Sequence, residues 1–403
     1  MPKNKRPAPR KNSTPPEEKE EFLAEALCAT ALELAEQEDS DQLSAELRQK
    51  AAEFPRQIRK YLQQKKDELL YSAIELARFE DVDAYRLLRE TVEEAAGTVL
   101  IRREGQPDVE INAFAIPVFV HSMGGLVQAE EFQDEAAFEA LLQSFTKEGL
   151  ESPKAKVVLV QHAYDLDEVD RVSFSQLNAM VREATTSMTE KKMQAAPALE
   201  RSMGGWAATA FGAGDTAVEL RFLLGFALKR ADDPFYLPPA GEQDQDDYYA
   251  ARMERYRQWT LKAAPLVQRC LAGARPVELN FLYQDLFYSA KEQAQAEYAM
   301  LDMMARLSQA LADAPGASAV IAPADVRGDM VLRVNLYASA GAAPLLSCDK
   351  PVDLGCDLQL EVDDIADALA TIGLHAVSVA QRFDAQGQPV EALPLAGGLR
   401  PAV

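Results

Sequence analysis

Along the first part of the chain, Leu23, Ala26, Leu27, Ala31 and Leu34 recur at intervals of three and four residues, one apolar stripe of a 3.6-residue period. The stripe predicts a helix, and the stretch from Glu17 to Lys66 reads as two or three of them. Pro55 is read as a break, since proline lacks the N–H that a helix interior needs. Beyond it, Ile58, Tyr61 and Leu62 set among Arg56, Arg59, Lys60, Lys65 and Lys66 form a basic amphipathic helix. Such a pattern is more often a solvated face than a binding surface.

From Asp81 the texture is mixed. A helix capped by Asp81 or Asp83 turns Leu88, Val92 and Ala95 inward and stops at Gly97, a residue type that takes the left-handed conformation favoured at helix ends. Thr98 to Arg102 and the alternating Val109, Ile111 and Ala113 flank the turn residues Gly105-Gln106-Pro107-Asp108 and predict a hairpin. Phe138, Leu141, Leu142 and Phe145 share a helix face, and Lys156 to Gln161 reads as a Val-rich buried strand. Ser173 and Gln176 make a capping box for a helix bearing Phe174, Leu177 and Val181. The strongest strand signal runs from Ala217 to Leu228. Val218, Leu220, Phe222, Leu224, Phe226 and Leu228 alternate there with Glu219, Arg221 and Leu223, so one sheet face is well buried.

Pro234, Pro238 and Pro239 lead into the polar run Gly241 to Asp247, which reads as a linker or surface loop. A long helix from Gln284 to Ala314 follows, then strands at Ser318 to Ala322 and through Leu332, Val334 and Leu336. Val362, Ile365, Leu369 and Ile372 form a helix face ending at Gly373, before strands at Ala376 to Phe383 and Val390 to Leu395 around a turn at Gly387. Both halves read helix, strand, strand, helix, strand. The expected fold class is α+β, an N-terminal helical segment followed by two similarly ordered α+β units. The order suggests a duplication, although the residue identities are too divergent to prove descent. The expected divisions are a disordered basic tail at 1–16, the helical segment at 17–80, a first unit at 81–237, a linker or loop at 238–247 and a second unit at 248–403.

Length and charge narrow the classes. A chain of 403 residues, 48% hydrophobic, has material for more than one core, since single cores stop growing near roughly 250–300 residues. Its net charge of −22 opposes nonspecific adhesion to nucleic acid or an anionic membrane. Only the tail departs from this, with Lys3, Lys5, Arg6, Arg10 and Lys11 among prolines; nucleic-acid association through it is expected to be weak at most. The polar Asn12 to Pro16 run after the basic residues is unlike a signal peptide, and the most apolar stretch, Ala113 to Val120, is far short of the roughly 20 residues that span a bilayer. A cytoplasmic protein with no membrane partner is expected. Cys28, Cys270, Cys348 and Cys356 are too sparse for a disulfide scaffold and match no zinc spacing, so free thiols and no metal are expected.

One string suggests catalysis. Val120-His121-Ser122-Met123-Gly124-Gly125-Leu126 follows a strand and resembles a nucleophile elbow, in which glycines flanking a serine permit a tight strand-to-helix turn. Val120 stands where a small residue is required, however, and the upstream region lacks the parallel strands of that fold. The same Ser-Met-Gly-Gly string recurs at Ser202 to Gly205 with no strand before it. Should Ser122 act as nucleophile of an ester or thioester hydrolase, His375 is the candidate base and Asp353, Asp357 or Asp363 its orienting carboxylate. Glycine-rich phosphate loops are absent, and Gly212-Ala213-Gly214 reads as a plain loop, so no cofactor is expected. The stripe Met300, Met303, Met304, Leu307 and Leu311, and that of Tyr249, Met253, Tyr256 and Thr260 with Trp259, read as core.

Glu90 to Pro117, the strand Leu220 to Gly225, and Gln258-Trp259-Thr260 with Ala263-Ala264-Pro265-Leu266 resemble a family of uncharacterised bacterial proteins of about this length, known as a domain of unknown function. The resemblance implies a bacterial cytosolic protein and carries no functional residues. The reading that results is a non-enzymatic binding or regulatory protein with an unknown protein or small-molecule partner, the Ser122 hydrolase being the alternative.

Overall fold

The computed structural model of the protein describes residues 16–36, 44–102, 104–123, 134–151, 155–189, 210–211, 216–231, 245–271, 277–326, 329–354, 356–391 and 393–394. The tail at 1–15, Gly124 and Gly125, the Ser202 to Gly205 string, Gly212 to Gly214 and residues 238–244 lie outside the described residues. In chain order the first elements are α1 (Pro16–Ala35), α2 (Ala45–Gln63), α3 (Asp67–Glu80), α4 (Val82–Gly97), β1 (Thr98–Ile101) and β2 (Val109–Met123). Next come α5 (Glu135–Lys147), β3 (Lys156–Asp165), α6 (Leu166–Asp170), α7 (Phe174–Thr189), β4 (Ala210–Phe211), β5 (Thr216–Arg230) and α8 (Gln245–Cys270). These are followed by β6 (Val277–Phe281), β7 (Asp285–Leu286), α9 (Phe287–Asp313), β8 (Ser318–Val326), β9 (Asp329–Tyr337) and β10 (Leu346–Pro351). The chain closes with α10 (Leu358–Thr371), β11 (Val377–Val379), β12 (Arg382–Phe383), β13 (Pro389–Val390) and β14 (Leu393–Pro394). The class is α+β, as the periodicities predict.

The chain divides into two compact units, residues 1–96 with 173–179 and residues 97–172 with 180–403. The first is helical. Leu27 and Ala31 of the predicted stripe are fully buried, as are Ile58, Leu70, Leu88 and Val92 on the following helices. Pro55 does not break α2, contrary to expectation. Leu47, Phe54, Ile58, Tyr61 and Leu62 are buried on both sides of it, and burial of that continuous face outweighs the lost N–H and ring crowding, a cost of about 3 kcal/mol. The helix ends instead at Gln63, and the chain turns at Lys65, which adopts φ +53° while the Lys66 N–H reaches back to Tyr61 O at 3.1 Å. Asp81 caps α4, accepting from the N–H groups of Asp83 and Ala84 at 3.0 and 2.9 Å. Gly97 is the last helical residue and leads straight into β1, without a left-handed turn. The capping box of α7 is present: Ser173 N–H donates to Gln176 Oε1 at 2.8 Å and Gln176 N–H to Ser173 Oγ at 3.3 Å. Asp67 joins it from more than 100 residues away, accepting from Ser173 Oγ at 3.1 Å, from Ser175 N–H at 2.8 Å and from the Ser175 hydroxyl.

The second unit holds the sheets. β2 and β5 pair antiparallel along their whole length, from Val109↔Arg230 to Met123↔Thr216. The free edge of β2 is covered in turn by β1, β7 and β6, and that of β5 by β3 and β4. Phe114, Ile116, Val118, Val120, Leu159 and Leu223 form one core with Phe138, Leu141 and Phe145 of α5 and Tyr256, Trp259 and Val267 of α8. Strand pairing thus crosses the expected boundary at 238–247. β1 pairs with only four of the fifteen residues of β2, so the remaining backbone groups of its edge take partners from residues 277–286. α8 begins inside the expected linker and packs on the same core.

A second sheet has the order β10-β9-β8-β11-β14. Met303 and Leu307 of α9 and Val362, Ile365 and Leu369 of α10 pack with Ile321, Leu332, Val334 and Leu336 into its core, as the methionine stripe predicts. β11 runs parallel to β8, whereas every pair in the first sheet is antiparallel. The two halves share neither a wiring nor the expected order of elements, since β10 stands between β9 and α10 and has no counterpart between β2 and α5.

Candidate functional site

Polar side chains concentrate where β3 runs into α6. β3 pairs regularly with β5 up to Leu159↔Gly225 and resumes at Ala163↔Leu223, so four steps along β3 match two along β5. This bulge re-aims the residues within it, among them His162. β3 ends at Asp165, which caps α6 in a full capping box: Glu168 N–H donates to Asp165 Oδ1 at 2.6 Å, and Asp165 N–H to Glu168 Oε2 at 3.0 Å. The same Glu168 oxygen lies 3.3 Å from His162 Nε2, and the Tyr164 ring stands edge-on to the imidazole at 4.3 Å. Opposite Asp165 in register is Arg221, whose guanidinium donates to Glu219 Oε2 at 2.7 Å and to Ala163 O at 3.4 Å.

Burial decides the electrostatics. Asp165, Glu219 and Arg221 are all buried, whereas His162 and Glu168 reach the surface in part. Burial is the main cause that pushes the Asp165 carboxyl up to about 7; the charges of Glu168 and Asp167 add to it, and the Glu168 N–H and Arg221 oppose it. Its Oδ2 is buried without a hydrogen-bond partner. Burial acts on Glu168 too, but hydrogen bonds from His162 and the Asp165 N–H, with the field of Arg221, outweigh it and lower its pKa. From α9, Tyr298 faces the network with its hydroxyl pushed up to about 12 by burial first and then by Asp302, Glu219 and Asp167. Lys291 pairs with Asp170 at 3.0 Å on the rim. The arrangement can hold and release a proton near neutrality at a carboxyl tied to the first turn of a helix.

The residues singled out from the sequence lie elsewhere. Ser122 sits within β2, paired with Ala217 of β5 and Val277 of β6, and the strand continues through Met123 instead of turning into a helix. His375 is exposed between α10 and β11. Asp353 is bonded to the backbone N–H of Leu354, Asp357 caps α10, and Asp363 accepts from Gln359. Of the aromatic stripe, Tyr256 and Trp259 are core and Trp259 Nε1 donates to Ser144 Oγ at 2.6 Å, while Tyr249 and Met253 are exposed. Cys28, Cys270, Cys348 and Cys356 are free thiols, and among the described residues no group of three His, Cys, Asp or Glu side chains is placed to hold a metal ion. Nor is any helix among them long and apolar enough to cross a membrane. His162, Asp165 and Glu168 escape a reading of hydrophobic period; the Asp-x-x-Glu spacing at 165–168 is the one local signal that marks them.

Fold and network together define a mixed α+β protein with an internal acid–base cluster at the end of a bulged strand. The chain belongs to the family described as protein of unknown function (DUF2863), whose model matches residues 19–324. No curated protein and no solved structure matches it.

Proposed function

We propose that the protein is a non-enzymatic binding or regulatory protein of the cell interior, in which the β3–α6 network couples ligand or partner binding to proton uptake. The observation that carries this reading is Asp165, a buried carboxyl titrating near neutrality and bonded into the first turn of α6. Its neighbours are engaged with one another: Glu168 bridges His162 and the Asp165 N–H, and Glu219 holds Arg221. Interlocked groups of this kind suit an element with two arrangements, one for each protonation state of the acid.

The test is a native mass-spectrometry screen against a panel of small metabolites, with pull-down from a lysate, run at two pH values on either side of neutrality. A ligand or partner recovered unchanged is expected, with an affinity that varies with pH in the wild type and not in Asp165→Asn. Recovery of a chemically converted molecule would overturn the proposal.

A further inference from the structure

The helical unit presents a cationic face in a chain that is acidic overall. Residues 48–66 contain seven basic side chains and one acidic, against a whole-chain net charge of −22. Arg48, Arg56, Arg59 and Lys60 are exposed on α2. At 100° per residue they fall within an arc of about 120° and along about 18 Å of axis. Other bases of this unit are neutralised, Lys50 by Glu33 at 2.5 Å, Lys66 by Glu20 at 3.1 Å and Arg89 by Glu93 at 2.9 Å. These four make no ion pair among the described residues. The acids flanking the face are turned to other groups: Glu53 accepts from Gln49 at 2.9 Å, and Glu46 lies 3.6 Å from Lys50.

We propose that this face of α2 docks a short acidic segment of a partner protein. Charge complementarity asks for an anionic occupant, and three arginines favour carboxylates held in bidentate pairs. The extent of the face selects among anions. A nucleic acid or a lipid surface would run past the stripe and bring further phosphates against the acidic remainder of the chain. The apolar side of the helix, Leu47, Phe54, Ile58, Tyr61 and Leu62, is buried, so no aromatic residue of α2 is left to stack on bases and no apolar face of it to enter a membrane. An extended peptide of about six residues covers the stripe and no more.

The test uses the full chain and a fluorescently labelled peptide of alternating Glu and Asp, about six residues long, in an anisotropy titration at about 0.15 M salt. Saturable binding is expected, weakening as salt rises and falling at least about tenfold in Arg56→Glu/Arg59→Glu. Arg56→Gln/Arg59→Gln, which removes charge without reversing it, should show an intermediate loss with an unchanged circular dichroism spectrum. Duplex DNA and phosphatidylserine-containing vesicles serve as the competing occupants. No binding of the peptide, binding indifferent to both variants, or tighter arginine-dependent binding of the DNA or the vesicles would overturn the proposal. This face shares no residue with the β3–α6 network, so its failure and the failure of the function proposed above are separate results.

Discussion

At Gly225 the first sheet is closed by the absence of a side chain. Gly225 pairs with Phe114, and a Cβ there would lie 2.4 Å from Phe114 Cζ and 2.8 Å from Leu159 Cδ2. The Phe114 ring is fully buried, its centroid 6.0 Å from that of Phe145, so it has little room to give. Gly225→Ala should therefore cost about 1–3 kcal/mol of stability in denaturant titrations, with part of the loss recovered when Phe114→Leu is added. Asp165 makes a prediction of another kind. Its pKa rises on folding from an ordinary 3.8 to about 7, so the folded state holds the proton more tightly. The resulting stability is greatest near the lower end of that range, falls as pH rises toward 7 and is level above it, by up to ~4 kcal/mol if the whole shift is realised. The lowered pKa of Glu168 acts oppositely, with stability lost as pH falls through the acid range. Thermal melts between pH 5 and 8 should show the wild type declining and Asp165→Asn, which keeps a capping oxygen, nearly flat. A decline in the variant equal to that of the wild type would refute the assignment.

At the scale of elements, helix ends and strand edges decide where residues act. The N-terminus of α7 is satisfied by its own Ser173–Gln176 box and by Asp67 at the start of α3. Asp67→Ala should cost ~1–2 kcal/mol, with hydrogen exchange quickened in the first turn of α7 and little changed in the sheets. The ladder position of Ser122 carries the opposite message about chemistry. A nucleophile elbow needs a strand that stops and turns at the serine, whereas β2 is paired on both edges at this position. A fluorophosphonate probe is expected to give no labelling that Ser122→Ala removes; such labelling would restore the hydrolase reading. Pro55 makes the same point for helices: a local rule yields where five buried side chains fix one continuous face.

Across the whole molecule, the polar run near 238–247 looked like a boundary because composition changes there, yet the sheet passes across it. β2 and β5 are too long for β1 and β3 alone to cover their edges, and that shortage is visible only once the strands are paired. Likewise the expected repeat of α4, β1, β2, α5 and β3 in the second half is interrupted by β10 between β9 and α10, and β11 joins β8 in parallel while β3 joins β5 antiparallel. Linear order does not specify partners. What the sequence by itself determined was whatever depends on neighbours within a turn or a pleat: the α1 stripe, the β1–β2 hairpin, the alternation of β5, the methionine face of α9 and the Ser173 capping box. The tertiary structure alone decided the rest. Glu219 and Arg221 alternate in β5 as if they faced solvent, yet both are buried in the folded chain, where each supplies the other's counter-charge at 2.7 Å. The titration of Asp165 near neutrality likewise needs desolvation by segments far along the chain. Periodicity reports which face of an element is apolar; burial of a charge depends on what the rest of the chain packs against it.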